Sequence, residues 1–292
     1  MRRCQTVEKQ SEHHQYIEKS LCSMKWISAI SLLHLLILAF SANAEVTHKK
    51  EICKTESHKI SRDAIATVEQ CHDTQTVSVI IKANTATLSV LSLKKTGTSL
   101  STYQDSATKN TILIINGGFF GYSKDGAETP IGLVRSNGNR INPWMEWDHG
   151  GVLVSDQKKS IKIIPAQNAK SAGAWKDAIQ SKPIIINSNM VDVSKNKNDS
   201  KFNRVAIGLT LKGDILVIGQ FQNFGQAATL VDFSHTFKKL ADHNKLKIHR
   251  ALAMDGGVGA QIYLPTLNLA YGDSGRTYLP NAVRFDTIGT RQ

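Results

Sequence analysis

Three short segments put a chemically useful side chain where an apolar run meets glycine. Asn116 follows Ile114-Ile115 and precedes Gly117-Gly118-Phe119-Phe120. Arg204 opens the run Arg204-Val205-Ala206-Ile207-Gly208, and Asp255 follows Ala251-Leu252-Ala253-Met254 and precedes Gly256-Gly257. A carboxylate such as Asp255 can serve as base or nucleophile, and an arginine such as Arg204 can hold an anion through two parallel hydrogen bonds. Asn116 and the backbone amides of Gly117 and Gly118 can bind hydroxyls or anionic oxygens, because glycine lets a ligand come close to the main chain. Phe119 and Phe120 offer a wall for packing or stacking. Each segment alone also has a plain structural explanation. Asn-Gly-Gly and Asp-Gly-Gly are turn sequences, Phe-Phe is ordinary core, and an arginine at a strand start can pair with an acid at a sheet edge.

Such groups can act together only if strands bring them to one place, and strands dominate the chain from Thr76 onward. Short β-branched runs recur at 77–82, 87–93, 111–116, 131–134, 151–155 and 160–165, then at 183–187, 204–211, 214–220, 250–255, 261–264 and 281–287. Their lengths and the turn residues between them predict strands, and Lys212-Gly213 between two such runs predicts a tight hairpin. A short helix is expected over 172–180. A longer one is expected over 227–243, where Leu230, Phe233, Phe237 and Leu240 share a face and Lys238 and Lys239 lie opposite, the period of a helix packed on a sheet. The fold class this implies is α+β, a single domain with a mixed, mostly antiparallel sheet and few flanking helices. The polar stretch 188–203 reads as a surface loop that borders a site.

The ends and the cysteines point to export. Lys25 precedes an apolar run from Trp26 to Phe40, and Ala42-Asn43-Ala44 has the small-x-small form of a cleavage site. Residues 1–44 are therefore expected to be a leader with a signal peptide, the true start being Met24, since the run of roughly 15 residues is short for a membrane span. No stable span is expected after its removal, and the mature protein is expected to be periplasmic or secreted. Residues 45–75 form an N-terminal segment that holds the only mature cysteines, Cys53 and Cys71, and an isolated pair in an exported chain suits a disulfide better than a metal site. Nothing in the spacing compels a cofactor or metal, although Asp255, Asn116 and a loop acid together could hold a divalent cation. The net charge of +12 favours anionic partners, but lysines are spread along the chain and no arginine–aromatic interleaving marks a nucleic-acid groove.

In their order, these features resemble the phosphodiester glycosidase family. The matching series runs from Asn116-Gly117-Gly118-Phe119-Phe120 through Pro130-Ile131-Gly132, a strand led by Pro183, Arg204-Val205-Ala206-Ile207-Gly208, the Gly213-Asp214 hairpin and the amphipathic helix. It ends at Ala253-Met254-Asp255-Gly256-Gly257, and the resemblance spans about residues 76 to 287. It implies that residues 76–292 form a hydrolase domain whose partner is a glycan or glycosyl phosphodiester, with no nucleic acid, cut at a sugar 1-phosphate ester bond that belongs to an envelope glycan. Asp255, Arg204 and Asn116 are then the expected catalytic residues, and Gly117, Gly118, Phe119, Phe120, Gly256, Gly257 and Arg276 are expected to contact substrate. The chemistry is consistent with these residue types. A phosphate monoester leaves more readily than a sugar alcohol, so the reaction depends less on a general acid than on a cation for the phosphate and a carboxylate at the anomeric carbon. A second carboxylate is not identified, and Asp125, Glu128, Asp148 and Asp273 are all placed to serve. His149 beside Asp148 reads as a surface pair. After Asp-Gly-Gly the family usually has Gly or Pro and then Ser, whereas this chain has Val258 and Gly259. The missing hydroxyl gives weight to an alternative, a catalytically inactive glycan-binding protein of the same fold. A third reading, from charge alone, is a basic exported protein that coats an acidic polymer.

Overall fold

The structure is a computed structural model that describes residues 53–93, 98–156, 158, 160–169, 175–193, 199–272 and 279–288. The expected leader, Met24, Asp273 and Arg276 lie outside the described residues. The strands, in chain order, are β1 (Lys54–Ser61), β2 (Ala64–Cys71), β3 (Thr74–Ile81), β4 (Ala86–Ser92), β5 (Thr111–Asn116), β6 (Phe120–Tyr122) and β7 (Glu128–Pro130). Then come β8 (Val134–Ser136), β9 (Asn139–Asn142), β10 (Gly151–Ser155), β11 (Ile161–Pro165), β12 (Asp177–Ser181), β13 (Ile184–Asn187) and β14 (Met190–Val191). The last are β15 (Arg204–Thr210), β16 (Ile215–Gln222), β17 (Ile248–Ala253), β18 (Gln261–Leu264), β19 (Leu269–Gly272) and β20 (Asn281–Thr287). The α-helices are α1 (Ser99–Ser106), α2 (Ala166–Ala169) and α3 (Leu230–His243).

An eight-stranded sheet runs β1-β2-β3-β16-β15-β17-β13-β14, and two five-stranded sheets run β11-β10-β12-β8-β9 and β19-β18-β5-β20-β4, with β6-β7 as a separate hairpin. The ladders between these strands are antiparallel, as in β15 with β16 and β17, and β5 with β18 and β20. The period-two pattern explains how one sheet serves two cores. Val205, Ile207 and Leu209 of β15 face a core shared with Leu113 and Ile115 of β5 and with Leu153 and Ile179 of β10 and β12. The alternate residue Ala206 faces the opposite side, where Phe233 and Phe237 of α3 cover the sheet. Gly208 permits that approach, because a methyl group there would stand 2.7 Å from the Phe237 ring. The helix begins after Thr229, whose hydroxyl accepts from the Asp232 amide at 3.1 Å, a side-chain cap that satisfies one of the free amides of the first turn.

Two expectations about elements need correction. Residues 177–181 are a strand, not the end of a helix, and Asp177, Ala178, Ile179, Gln180 and Ser181 are all buried. A strand enclosed on both faces carries no alternation for its sequence to display, so burial rather than propensity decided it. Within 131–134 only Val134 is in a strand, since Gly132 at φ +84° breaks the extended run just before it. The segment before Thr76 also has more structure than the sequence suggested: β1 and β2 pair with each other and then with β3, extending the large sheet.

Cys53 and Cys71 are joined, with Cα atoms 4.4 Å apart at a sequence separation of 18. The bond closes the β1–β2 hairpin at its open end. Restricting a loop of this length in the unfolded chain stabilises the fold by about 3 kcal/mol, which corresponds to roughly 6–12 °C in Tm for a chain of this size. Thermal melting with and without reductant checks this; an unchanged Tm on verified reduction would show that the edge hairpin frays independently of the rest.

Candidate functional site

Asp255 lies two residues beyond the end of β17, in a turn held from both sides. The Met254 amide donates to the Val205 carbonyl at 2.9 Å and the Gly257 amide to the Asn203 carbonyl at 2.9 Å, which tie the turn to β15. The Asp255 amide donates to the Gly117 carbonyl at 3.1 Å, which ties it to the end of β5. Gly257 has φ +64°, a conformation that a side chain would strain.

Asn116 explains why the two sheets meet here. It is 1% exposed. Its side-chain amide donates to the Asp255 carbonyl at 2.8 Å and the Gly117 carbonyl at 3.2 Å, while its oxygen accepts from the Gln261 amide at 3.1 Å. Asn116 therefore sits directly beneath Asp255, with its polar atoms engaged by backbone, and positions the turn from within the protein. Gly117 and Gly118 are likewise used internally. The Gly117 amide donates to the Asn281 carbonyl at 3.1 Å. A Cβ on Gly117 would fall 1.7 Å from the Asn281 side-chain oxygen, and one on Gly118 would fall 2.4 Å from the Gln180 carbonyl. Close packing of β5 against β12 and β20, rather than approach of a ligand, is what requires glycine at both places.

Above this support opens a cleft of about 480 Å³ lined by Arg204, Asp255, Gly256, Gly257 and Phe119 together with His149, Lys182, Pro183, Phe202, Leu230 and Met254. Five residues expected from sequence thus come together. Phe120 lies behind the turn, with its ring 3.6 Å from where a Cβ of Gly259 would be. Gly259 itself makes room for the carboxylate, since that Cβ would stand 2.6 Å from Asp255 Oδ2. The Asp255 Oδ1 accepts from the Gly256 amide at 3.0 Å.

Arg204 is fixed by the loop and helix next to it. Its side chain is 17% exposed. It donates from Nη2 to the Ser200 carbonyl at 2.9 Å and from Nε to the Ala228 carbonyl at 3.3 Å, and lies 5.2 Å over the Phe202 ring. Nη1 carries no hydrogen bond among the described residues and faces Gly256, where a methyl group would be 3.7 Å away. Asp199 stands 3.6 Å from Nη2 and also accepts from the Leu230 and Val231 amides at the start of α3. Burial holds the Arg204 pKa below its ordinary value, with the Asp199 charge opposing that shift only in part; the guanidinium keeps its charge at any ordinary pH. The result is a partly desolvated cation held at the cleft wall, where its attraction for an anion is stronger than in open water.

Lys182, His149 and Phe202 were not expected from sequence to belong here. Lys182 stacks its ammonium 5.1 Å over Trp147, whose ring meets Phe119 edge-on at 5.7 Å. The loop that carries Trp147 and His149 is held by Gln180, whose oxygen accepts from the Leu133 amide at 2.9 Å and the Met145 amide at 3.1 Å. His149, read from sequence as a surface residue, is exposed and lines the cleft. The only sequence signal for Phe202 was its place at the end of the polar loop 188–203, flagged as bordering a site. Asp125, Glu128 and Asp148 do not line the cleft. Among the described residues, three potential metal ligands gather only at Cys53, Glu69 and Cys71, where both sulfurs are already joined to each other.

A larger groove of about 570 Å³ lies at the other end of β17, where Lys82, Lys158, Lys162, Lys212, His249 and Arg250 line it without a carboxylate among the described residues. It has charge to attract an anion but, among the described residues, no carboxylate to act at an anomeric carbon. The cleft at Asp255 is the place where both exist.

The family model for phosphodiester glycosidases matches residues 109–285. No curated protein matches the chain. Several solved structures share its fold, among them the following three. A hypothetical protein from Synechocystis is similar at 12% identity and a TM-score of 0.55 over 80% of this chain, which spans 64% of that one. The zebrafish N-acetylglucosamine-1-phosphodiester alpha-N-acetylglucosaminidase catalytic domain, auto-inhibited by pro-peptide, is similar at 10% identity and a TM-score of 0.55 over 84% of this chain and 91% of its own. A Burkholderia pseudomallei K96243 protein named as exported is similar at 10% identity and a TM-score of 0.52 over 77% of this chain and 74% of its own. At these identities the structures establish the fold, and the family model, which covers more than half of the residues, establishes the membership: the chain belongs to the phosphodiester glycosidase family.

Proposed function

We propose that the protein is an exported hydrolase that cleaves the bond between the anomeric carbon and the phosphate oxygen of a glycosyl phosphodiester. The observation that carries this reading is the presence, in one cleft, of the Asp255 carboxylate with the Arg204 and Lys182 cations. In the reaction the C1–O bond breaks, the bonding pair leaves with the phosphate monoester, and oxygen from water becomes attached to C1. Arg204 holds the phosphate as charge grows on it, through the nitrogen that faces Gly256. Lys182 adds a second positive charge, and Asp255 acts at the anomeric carbon either as nucleophile or as base for the water. Phe119, Phe202 and Met254 exclude solvent around these charges. Export is supported by the sequence of the leader and by the disulfide at Cys53; among the described residues no helix is long and apolar enough to cross a membrane.

A panel of sugar 1-phosphodiesters with a chromogenic ester group, assayed with and without chelator, tests the reading. Turnover of at least one member is expected, and the anomer released, followed by NMR, separates nucleophile from base. Saturable binding of the same compounds with no turnover across the panel would instead support the inactive glycan-binding protein.

The Val258-Gly259 pair leads to a further expectation. Because a Cβ at position 259 would stand 2.6 Å from Asp255 Oδ2, Gly259→Ser must rotate the carboxylate out of its present place. A misplacement of about 1 Å in a reacting group can lower a rate by roughly a hundredfold. The substitution is therefore expected to reduce kcat on the panel's best substrate; a rise in kcat would mean that the hydroxyl matters more than the carboxylate's present orientation.

A further inference from the structure

The strained aromatic residue Phe224 has no role in the cleft. It lies in the turn Asn223–Gly225 after β16, adopts φ +68°, and is 99% exposed. A bulky residue in the left-handed region is strained unless something holds it there, and no core packing holds this ring. The ring lines a groove of about 540 Å³, with Asp73, Gln75, Gln222, Asn223 and Val258 among the other lining residues.

We infer that this groove is a subsite for uncharged sugar units of the substrate glycan, next to the reacting bond. The inference rests on the glycosidase reading and adds to it the part of the substrate that the cleft does not hold. Four observations support it. The groove adjoins the cleft through one turn, since Gly257 lines the cleft and Val258 lines the groove. Its described lining has no lysine or arginine, His72 stands there beside the carboxylate Asp73, and Asp73 already accepts from the Gln222 side-chain amide, so the groove lacks the permanent cations that would hold a phosphate. Gln75 and Asn223 carry side-chain amides with no hydrogen bond among the described residues. An amide presents a donor and an acceptor side by side, which suits neighbouring hydroxyls on a sugar ring. Phe224 adds an exposed apolar face against which the C–H face of a sugar can pack.

The groove draws its walls from two parts of the chain. Asp73 and Gln75 come before residue 109, where the family match begins, and the hairpin that ends at this wall is closed by the Cys53–Cys71 bond. One wall thus precedes the region that the family model matches, while the other follows β16 inside it. The chemistry at Asp255 needs neither wall.

The test is binding of neutral trisaccharides of glucose, N-acetylglucosamine, galactose and mannose to the full mature chain, followed by calorimetry and saturation-transfer NMR. These probes contain no phosphodiester, so their binding is independent of turnover. At least one is expected to bind, with contacts to an aromatic ring. Phe224→Ala is expected to weaken it about tenfold and Gln75→Ala by a smaller factor, the loss of an aromatic contact being of that order. Because the exposed ring packs on no core and the backbone keeps a Cβ at the same φ, the Phe224→Ala protein is expected to be about as thermally stable as wild type. The inference is overturned if no trisaccharide binds the wild type, or if binding persists unchanged in Phe224→Ala. It is also overturned if the wild type self-associates and Phe224→Ala abolishes that association without affecting sugar. A trisaccharide bound through Phe224 by a protein that turns over no phosphodiester would keep the subsite and remove the hydrolase reading.

Discussion

Asp255→Asn is expected to lower kcat on a sugar 1-phosphodiester by roughly a thousandfold, the middle of the range for a positioned acid–base group, with little change in stability. The two effects separate because of how the turn is held. Asp255 is fixed by its amide's bond to Gly117 and its carbonyl's bond from Asn116, and asparagine keeps both. The side-chain bond from the Gly256 amide can be made equally to an amide oxygen. What asparagine cannot supply is a full negative charge at the anomeric carbon, either to attack it or to take a proton from water. Steady-state kinetics and thermal melting on the same preparation check this. A parallel fall of kcat and Tm, or a kcat within tenfold of wild type, would return Asp255 to the role of a structural turn residue.

Arg204→Met is expected to lower kcat/KM by about a hundred- to a thousandfold, the usual effect of removing a donor that meets developing charge. Unlike the change at Asp255, this one also destabilises. Arg204 supplies hydrogen bonds to the Ser200 and Ala228 carbonyls and a charge beside Asp199. Leaving such partly buried acceptors unpaired costs about 1–3 kcal/mol each. Arg204→Lys distinguishes the two functions, because lysine retains the charge without the planar fork. Recovery of most of the stability but little of the rate would support a bidentate hold on phosphate. If both variants lose stability while kcat/KM per folded molecule is unchanged, Arg204 is the sheet-edge ion pair of the plainer reading. Measurement at two salt concentrations adds a check, since a cation that binds phosphate raises KM as salt increases.

The parts of the molecule that were legible in sequence are those where local pattern and tertiary environment agree. In β15, alternation is real, because Val205, Ile207 and Leu209 face one core and Ala206 the other. The helix over Leu230–His243 is amphipathic because only one of its faces meets the sheet. The β12 strand shows where this fails. Asp177 and Gln180 look like exposed helix residues, yet both are buried, Asp177 accepting from the Val90 and Asn137 amides at 3.1 Å. A buried polar residue satisfied by backbone has no signature in a single sequence, since its partners lie 87 and 40 residues away.

The same division runs through the site. Residue types and their order were enough to single out Asn116, Arg204 and Asp255 and to indicate the family, because glycine-flanked polar residues at strand ends are few in this chain. Their roles depended on the fold. Asn116 and Gly117 carry groups able to meet a ligand, and only the packing of β5 against β12, β18 and β20 directs those groups to carbonyls and amides inside the protein. Lys182, His149 and Phe202 enter the cleft from separate strands and loops that no spacing rule connects. What the sequence determined by itself was the chemistry available, a carboxylate, a guanidinium and glycine turns on a β-rich frame. Which of these groups face a ligand was decided by the tertiary structure, because direction at a strand end is set by contacts between segments far apart in the chain.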